Sequence, residues 1–254
     1  MSYGDFARFY DLLTENVDYD FLAEYYLGLL KKYGNFGNGE KRLLDLACGS
    51  GSLSLPLMSS GCKVTGGDLS EDMLIMARQK SSDITWLKLD MTDLPFENEF
   101  DFVICGLDSI NHLEDRTAIV AAFKGVYKAL KPGGIFAADM NTVYKHEHIL
   151  GNNAYTFDYE GLYCGWQNEY SEDDPLHKVD MFLDFFSEES DGKYKRYQEF
   201  ITEIALPVCE VRKMLEKCGF EICEISEYMT GSRENLEQAE KFTFTVRKPL
   251  KENI

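Results

Sequence analysis

Residues 43–57 read LLDLACGSGSLSLPL. An apolar run closes on an acid, Asp45, passes Gly49 and Gly51, and resumes with apolar residues at helical spacing. That order predicts a strand, a tight turn and a helix, the arrangement with which nucleotide-binding folds hold a ligand. Pro56 is compatible with the helix, because an N–H missing from the first turn has no obligatory partner. A pyrophosphate is disfavoured as the ligand. Asp45 would repel it, and the third position of G-x-G-x-x-G is Ser54.

Outward from this turn, strands and helices alternate. KVTGGD (63–68) and ITWLKLD (84–90) read as strands, with the helix SEDMLIMARQK (70–80) between them. FDFVICG (100–106) and GIFAADM (134–140) are further strands around the helix RTAIVAAFKGVYKALK (116–131), and such alternation predicts a parallel sheet covered on both faces. Asp45, Asp68 and Asp90 each stand at a strand end. In that order they suit an amino acid, a ribose and a base, with the Met91 N–H beside the last. A ligand with a cationic amino group and no phosphate fits Asp45, and S-adenosylmethionine (SAM) has both properties. Each acid alone also serves as a turn former or helix cap.

LLDLACGSG, GGDLSEDMLIMAR, LDMTDLPF, FDFVICGLDSINHL and LKPGGIF together resemble the motif series of class I SAM-dependent methyltransferases of the small-molecule type, over roughly residues 40–140. The resemblance implies a Rossmann-like α/β fold. Its seven-stranded sheet has helices on both faces and an antiparallel last strand, with SAM across the C-terminal edge of the first strands. It carries the cofactor contacts onto Tyr10, Asp45, Ala47, Cys48, Gly49, Gly51, Asp68, Leu69, Asp90, Met91, Gly106 and Leu107. Ala47 departs from the family's usual glycine.

Before this core, residues 5–33 show one helical periodicity and GNFGNGE (34–40) reads as a loop. After it, 154–206 is rich in aromatics and β-formers broken by DDP and SDGK, which predicts an antiparallel meander. The expected division is a SAM-binding domain of residues 1–140 and 207–254, with 141–206 inserted as a β-rich lid and acceptor wall. The helix PVCEVRKMLEKCG and the strands FEICEISEYM and KFTFTVRK return the chain to the core.

Lys and Arg number 26 against 44 Asp and Glu, a net charge of −18, and no long basic run offsets it. Nucleic acid is held largely through its phosphates, so a small-molecule acceptor is expected instead. Seven cysteines without a C-x-x-C pair, no apolar run of membrane-spanning length and no signal-peptide pattern predict a cytoplasmic protein with reduced thiols. Homodimerisation is left open. KHEH (145–148) reads as a solvated polar stretch, and no metal site is expected.

The candidates for the chemistry lie in LDSINHL (107–113), with His112 as a general base and Asp108 as an orienting acceptor. The bland reading of the same residues is a helix cap and a loop histidine. Tyr163 and Trp166 are candidates for the acceptor wall. Two rival functions stand beside methyl transfer, a SAM-binding protein without turnover and an NAD-dependent oxidoreductase. The second is disfavoured by Asp45 and Ser54.

Overall fold

A computed structural model describes residues 6–34, 39–171 and 175–250. Most of GNFGNGE and the acids of DDP therefore lie outside the described residues. The predicted N-terminal helix is two, α1 (Ala7–Leu13) and α2 (Tyr19–Tyr33). The chain turns between them, and Asp18 starts α2 by accepting from the Phe21 N–H at 2.9 Å. Apolar spacing ran through the break because both helices bury one face, while the cap that separates them is a single residue.

The alternating region forms β1 (Lys41–Leu46), α3 (Ser54–Ser59), β2 (Cys62–Asp68), α4 (Glu71–Lys80), β3 (Thr85–Lys88), β4 (Phe100–Cys105), α5 (Arg116–Ala129) and β5 (Leu130–Asn141). The insertion supplies β6 (Ala154–Tyr159), β7 (Leu162–Tyr170), β8 (Val179–Glu188) and β9 (Tyr194–Glu203). The chain returns through α6 (Val208–Lys217), β10 (Glu221–Glu227) and β11 (Lys241–Arg247). Seven strands make one sheet in the order β10-β11-β5-β4-β1-β2-β3, with β11 antiparallel to both neighbours. β1 pairs with β2 on one side and β4 on the other, so the strand order reverses beside β1, where α/β sheets open a ligand crevice at their C-terminal edge.

Both faces of this sheet are covered. On one face Phe100, Phe136 and Phe244 cluster with Phe123 of α5 and Leu215 of α6, and on the other Leu43, Phe102 and Ile104 cluster with Tyr26 of α2 and Leu57 of α3. β6–β9 form a separate antiparallel sheet. Its inner face carries Cys164, Met181, Leu183 and Phe185, and the apolar face of α1 (Phe6, Phe9) packs on it. The Phe9 and Phe185 rings stack at 5.0 Å. All seven cysteines are free thiols, four of them buried. Among the described residues no helix is long and apolar enough to cross a membrane.

Candidate active site

The glycine turn follows β1 directly. Asp45 is 1% exposed and accepts from the Ser54 hydroxyl, 2.5 Å away on the first turn of α3. Burial pushes the Asp45 carboxyl up to about 7, with Ser54 opposing and Asp68 reinforcing the shift. Gly51 has φ +79°, and a Cβ there would lie 2.5 Å from the Trp86 ring, so only glycine fits. Ala47 takes the same left-handed region (φ 57°) with a side chain. At the end of β2, Asp68 accepts from the N–H of Gly49 and of Ser70, each at 2.8 Å, and so ties the turn to the start of α4.

Tyr10 of α1 covers the turn, lying 3.6 Å from where a Cβ on Gly49 would be. A polar clamp fastens the helix there. Asp11 receives the Ser50 hydroxyl and pairs with Lys80 of α4 at 2.7 Å, and Lys80 also donates to Ser50 and Ser52. Between α1, the turn and the β4 end lies a narrow cavity of about 20 Å³. Tyr10, Asp45, Ala47, Cys48, Gly106 and Leu107, all singled out in the sequence, line it together. A further lining residue, Tyr19, carries no signal in the sequence, and its hydroxyl is buried without a hydrogen-bond partner among the described residues. Gly49, Gly51, Asp68, Leu69, Asp90 and Met91 do not line this cavity. They lie along the turn itself and after β2 and β3. Leu69 is exposed, and Asp90 accepts from the N–H and hydroxyl of Thr92.

After β4 the backbone makes two consecutive left-handed turns, Leu107 (φ 55°) and Asp108 (φ 53°), a costly conformation for residues with side chains. Asp139 of β5, completely buried, holds them by accepting from both N–H groups at 2.8 and 3.0 Å and from the Tyr26 hydroxyl. Asp108 therefore does not cap the next turn. It pairs with Lys241 of β11 at 2.9 Å. Burial alone would raise the Asp108 carboxyl, but Lys241 and Lys145 hold it well below the usual carboxylate range.

His112 ends the short 3₁₀ turn Ser109–His112, with Nε2 3.7 Å from Oε1 of Glu203 at the end of β9. Oε2 of Glu203 lies 3.4 Å from Nε2 of His146 and accepts from the Asn141 amide at 2.8 Å. KHEH is thus solvated only in its second half, Glu147 and His148. It forms part of a wide helical turn, Lys145–Leu150, and His146 is completely buried. Of the proposed wall residues, Trp166 packs in the inner cluster, whereas Tyr163 is 41% exposed on the outer face of the small sheet, away from the cavity. Among the described residues no group of His, Cys, Asp and Glu is placed to hold a metal ion.

A sheet that reverses beside a glycine turn, with buried acids at successive strand ends, defines a nucleoside-binding α/β protein. Residues 43–134 match the family described as a methyltransferase domain. A Bacillus subtilis (strain 168) protein bearing the name methyltransferase YqeM is 32% identical over 252 residues, 98% of each chain. The crystal structure of a SAM-dependent methyltransferase from Clostridium acetobutylicum ATCC 824 superposes with a TM-score of 0.83 at 29% identity, covering 97% of this chain and 99% of that one. A third relative, the dTDP-3-amino-3,6-dideoxy-alpha-D-glucopyranose N,N-dimethyltransferase of Streptomyces fradiae, is 30% identical over 138 residues, 54% of this chain and 53% of its own. The chain belongs to the class I SAM-dependent methyltransferases. It is an enzyme whose cofactor is SAM, with small-molecule methyltransferases among its relatives.

Proposed function

We propose that this methyltransferase methylates a nitrogen or oxygen of a small molecule, with His112 taking the proton that the acceptor gives up. One observation carries this reading. Gly106, Leu107 and Ser109 line the cavity beside Asp45, and three residues further on His112 faces the buried carboxylate of Glu203. An imidazole beside a carboxylate is a proton acceptor whose charged form is compensated.

The residues present fit SAM. Asp45 offers a buried carboxylate to a cationic amino group, and the orphaned Tyr19 hydroxyl offers a donor inside the same cavity. Both oxygens of Asp68 already accept one N–H each, and a carboxylate retains capacity for two hydroxyls besides. When bound, SAM supplies an electrophilic methyl group on a sulfonium. The chain's share is to align the acceptor, exclude water and receive one proton. The relative acting on an amino sugar supports nitrogen as one acceptor atom. The net charge of −18 supports a small acceptor over a nucleic acid.

The test is incubation with methyl-labelled SAM and a metabolite extract, read by mass spectrometry. Label in a small amine or hydroxyl compound, lost with His112→Gln at unchanged SAM affinity, supports the assignment. Equal turnover by that variant removes His112 from the reaction.

A further inference from the structure

His146 and Glu203 meet in an arrangement whose hydrogen-bond count does not close without an additional proton. His146 Nδ1 lies 2.7 Å from the carbonyl oxygen of His177, and a carbonyl can only accept, so Nδ1 carries a hydrogen. In a neutral ring Nε2 is then a bare lone pair, and it faces Oε2 of Glu203 at 3.4 Å in a fully buried setting. Two lone pairs would confront each other across a gap too short to admit a water, and among the described residues His146 Nε2 has no hydrogen-bond partner. Oε2 also accepts from the Asn141 amide, whose own oxygen accepts from Lys145 Nζ at 2.9 Å, so toward Asn141 the carboxylate is an acceptor.

We infer that one proton resides on Nε2 of His146 and is donated to Glu203, so that a His146–Glu203 ion pair forms the floor beneath His112. Burial would raise the Glu203 carboxyl, but His146 and the neighbouring His112 hold it below the usual range, which keeps it ionised. The other charges around the pair come from Asp108, Lys145 and Lys241, and the His177 ring is engaged by the Tyr170 hydroxyl at 3.1 Å. With Oε2 committed to His146 and Asn141, Oε1 is left for Nε2 of His112 at 3.7 Å. Glu203 is therefore a positioning residue. As the acceptor N–H or O–H bond breaks and its proton passes to His112, the charge gained is met by a carboxylate already fixed in place. The role in methyl transfer rests on the function proposed above, whereas the location of the proton rests on these contacts and on the charges that keep Glu203 ionised.

Nitrogen-15 NMR of the full-length protein labelled at histidine tests the inference directly. The chain has 4 histidines, so single His→Gln variants assign the signals. At pH 7.5 the wild-type His146 ring is expected to bear a proton on both nitrogens. In Glu203→Gln its Nε2 should lose that proton, because the glutamine amide can donate to it, while SAM affinity by calorimetry stays within about twofold. A wild-type His146 protonated on Nδ1 alone overturns the inference, as does a doubly protonated ring in both proteins. The wild-type spectrum suffices if Glu203→Gln does not fold, and an inactive or misassigned His112 would leave it unchanged.

Discussion

Asp45 shows what a single buried carboxyl imposes on the protein. A carboxyl in an unfolded chain ionises near pH 4, while this one is pushed up to about 7 by burial. The folded state therefore holds a proton that the unfolded state has lost between about pH 4 and 7. Stability from this group is full below that window and falls as pH rises through it, by at most about 1.4 kcal/mol per pH unit. In urea unfolding without SAM at pH 5, 6 and 7, Asp45→Asn should lack that decline relative to the wild type, and parallel curves would refute the shift. Ala47 carries a different load. Its left-handed backbone costs an L-residue about 1–2 kcal/mol, so Ala47→Gly should raise unfolding stability by roughly 1 kcal/mol, part being lost to the added freedom of the unfolded chain. Asp68→Ala removes the acceptor of two backbone N–H groups and of the expected ribose contacts, and should weaken SAM binding by about 1.5–3 kcal/mol in calorimetry. These residues were legible in sequence because each sits within a few positions of the glycine turn or a strand end. Glu203 and His146 were not. They reach His112 only through the register of an inserted sheet and one wide helical turn, and hydrophobic periodicity does not report which strand end meets which loop. Asp139 did leave a signal, an acid inside the apolar strand GIFAADM, which nothing local could satisfy.

Among the elements, α1 is held from two sides. Its polar face is clamped to the glycine turn by Asp11, Ser50, Ser52 and Lys80, and its apolar face rests on the inserted sheet. The meander itself was readable from its turn signals and β-formers, and the core alternation from its apolar runs. The dependence of α1 on the meander was not readable, since the two are separated by more than a hundred residues and pack through side chains alone. It means that the insertion supports the residue that covers the turn, Tyr10, as well as supplying Glu203. Phe185→Ala should cost about 3–5 kcal/mol of stability by emptying the contact with Phe9. The same variant should weaken SAM binding while its turn residues are intact. Chemical denaturation and calorimetry on the one variant check both effects, and full SAM affinity would show that α1 keeps its place without the sheet.

At the scale of the molecule, the seven-stranded sheet places the ends of β1 and β4 side by side, and the inserted sheet brings Glu203 to the loop that follows β4. The proposed cofactor edge and the proposed proton-handling group thus come from parts of the chain far apart in sequence. The surface carries a net charge of −18, which opposes polyanionic acceptors at physiological salt. The proposed reaction is methyl transfer to a small molecule with His112 receiving a proton. It is tested most directly by following a trideuterated methyl group from SAM into a metabolite extract, with extracted RNA as a parallel acceptor. S-adenosylhomocysteine should form, with label in a nitrogen- or oxygen-bearing small molecule, and that label should be lost in His112→Gln. Label found only in RNA, or turnover untouched by that substitution, would contradict the proposed reaction.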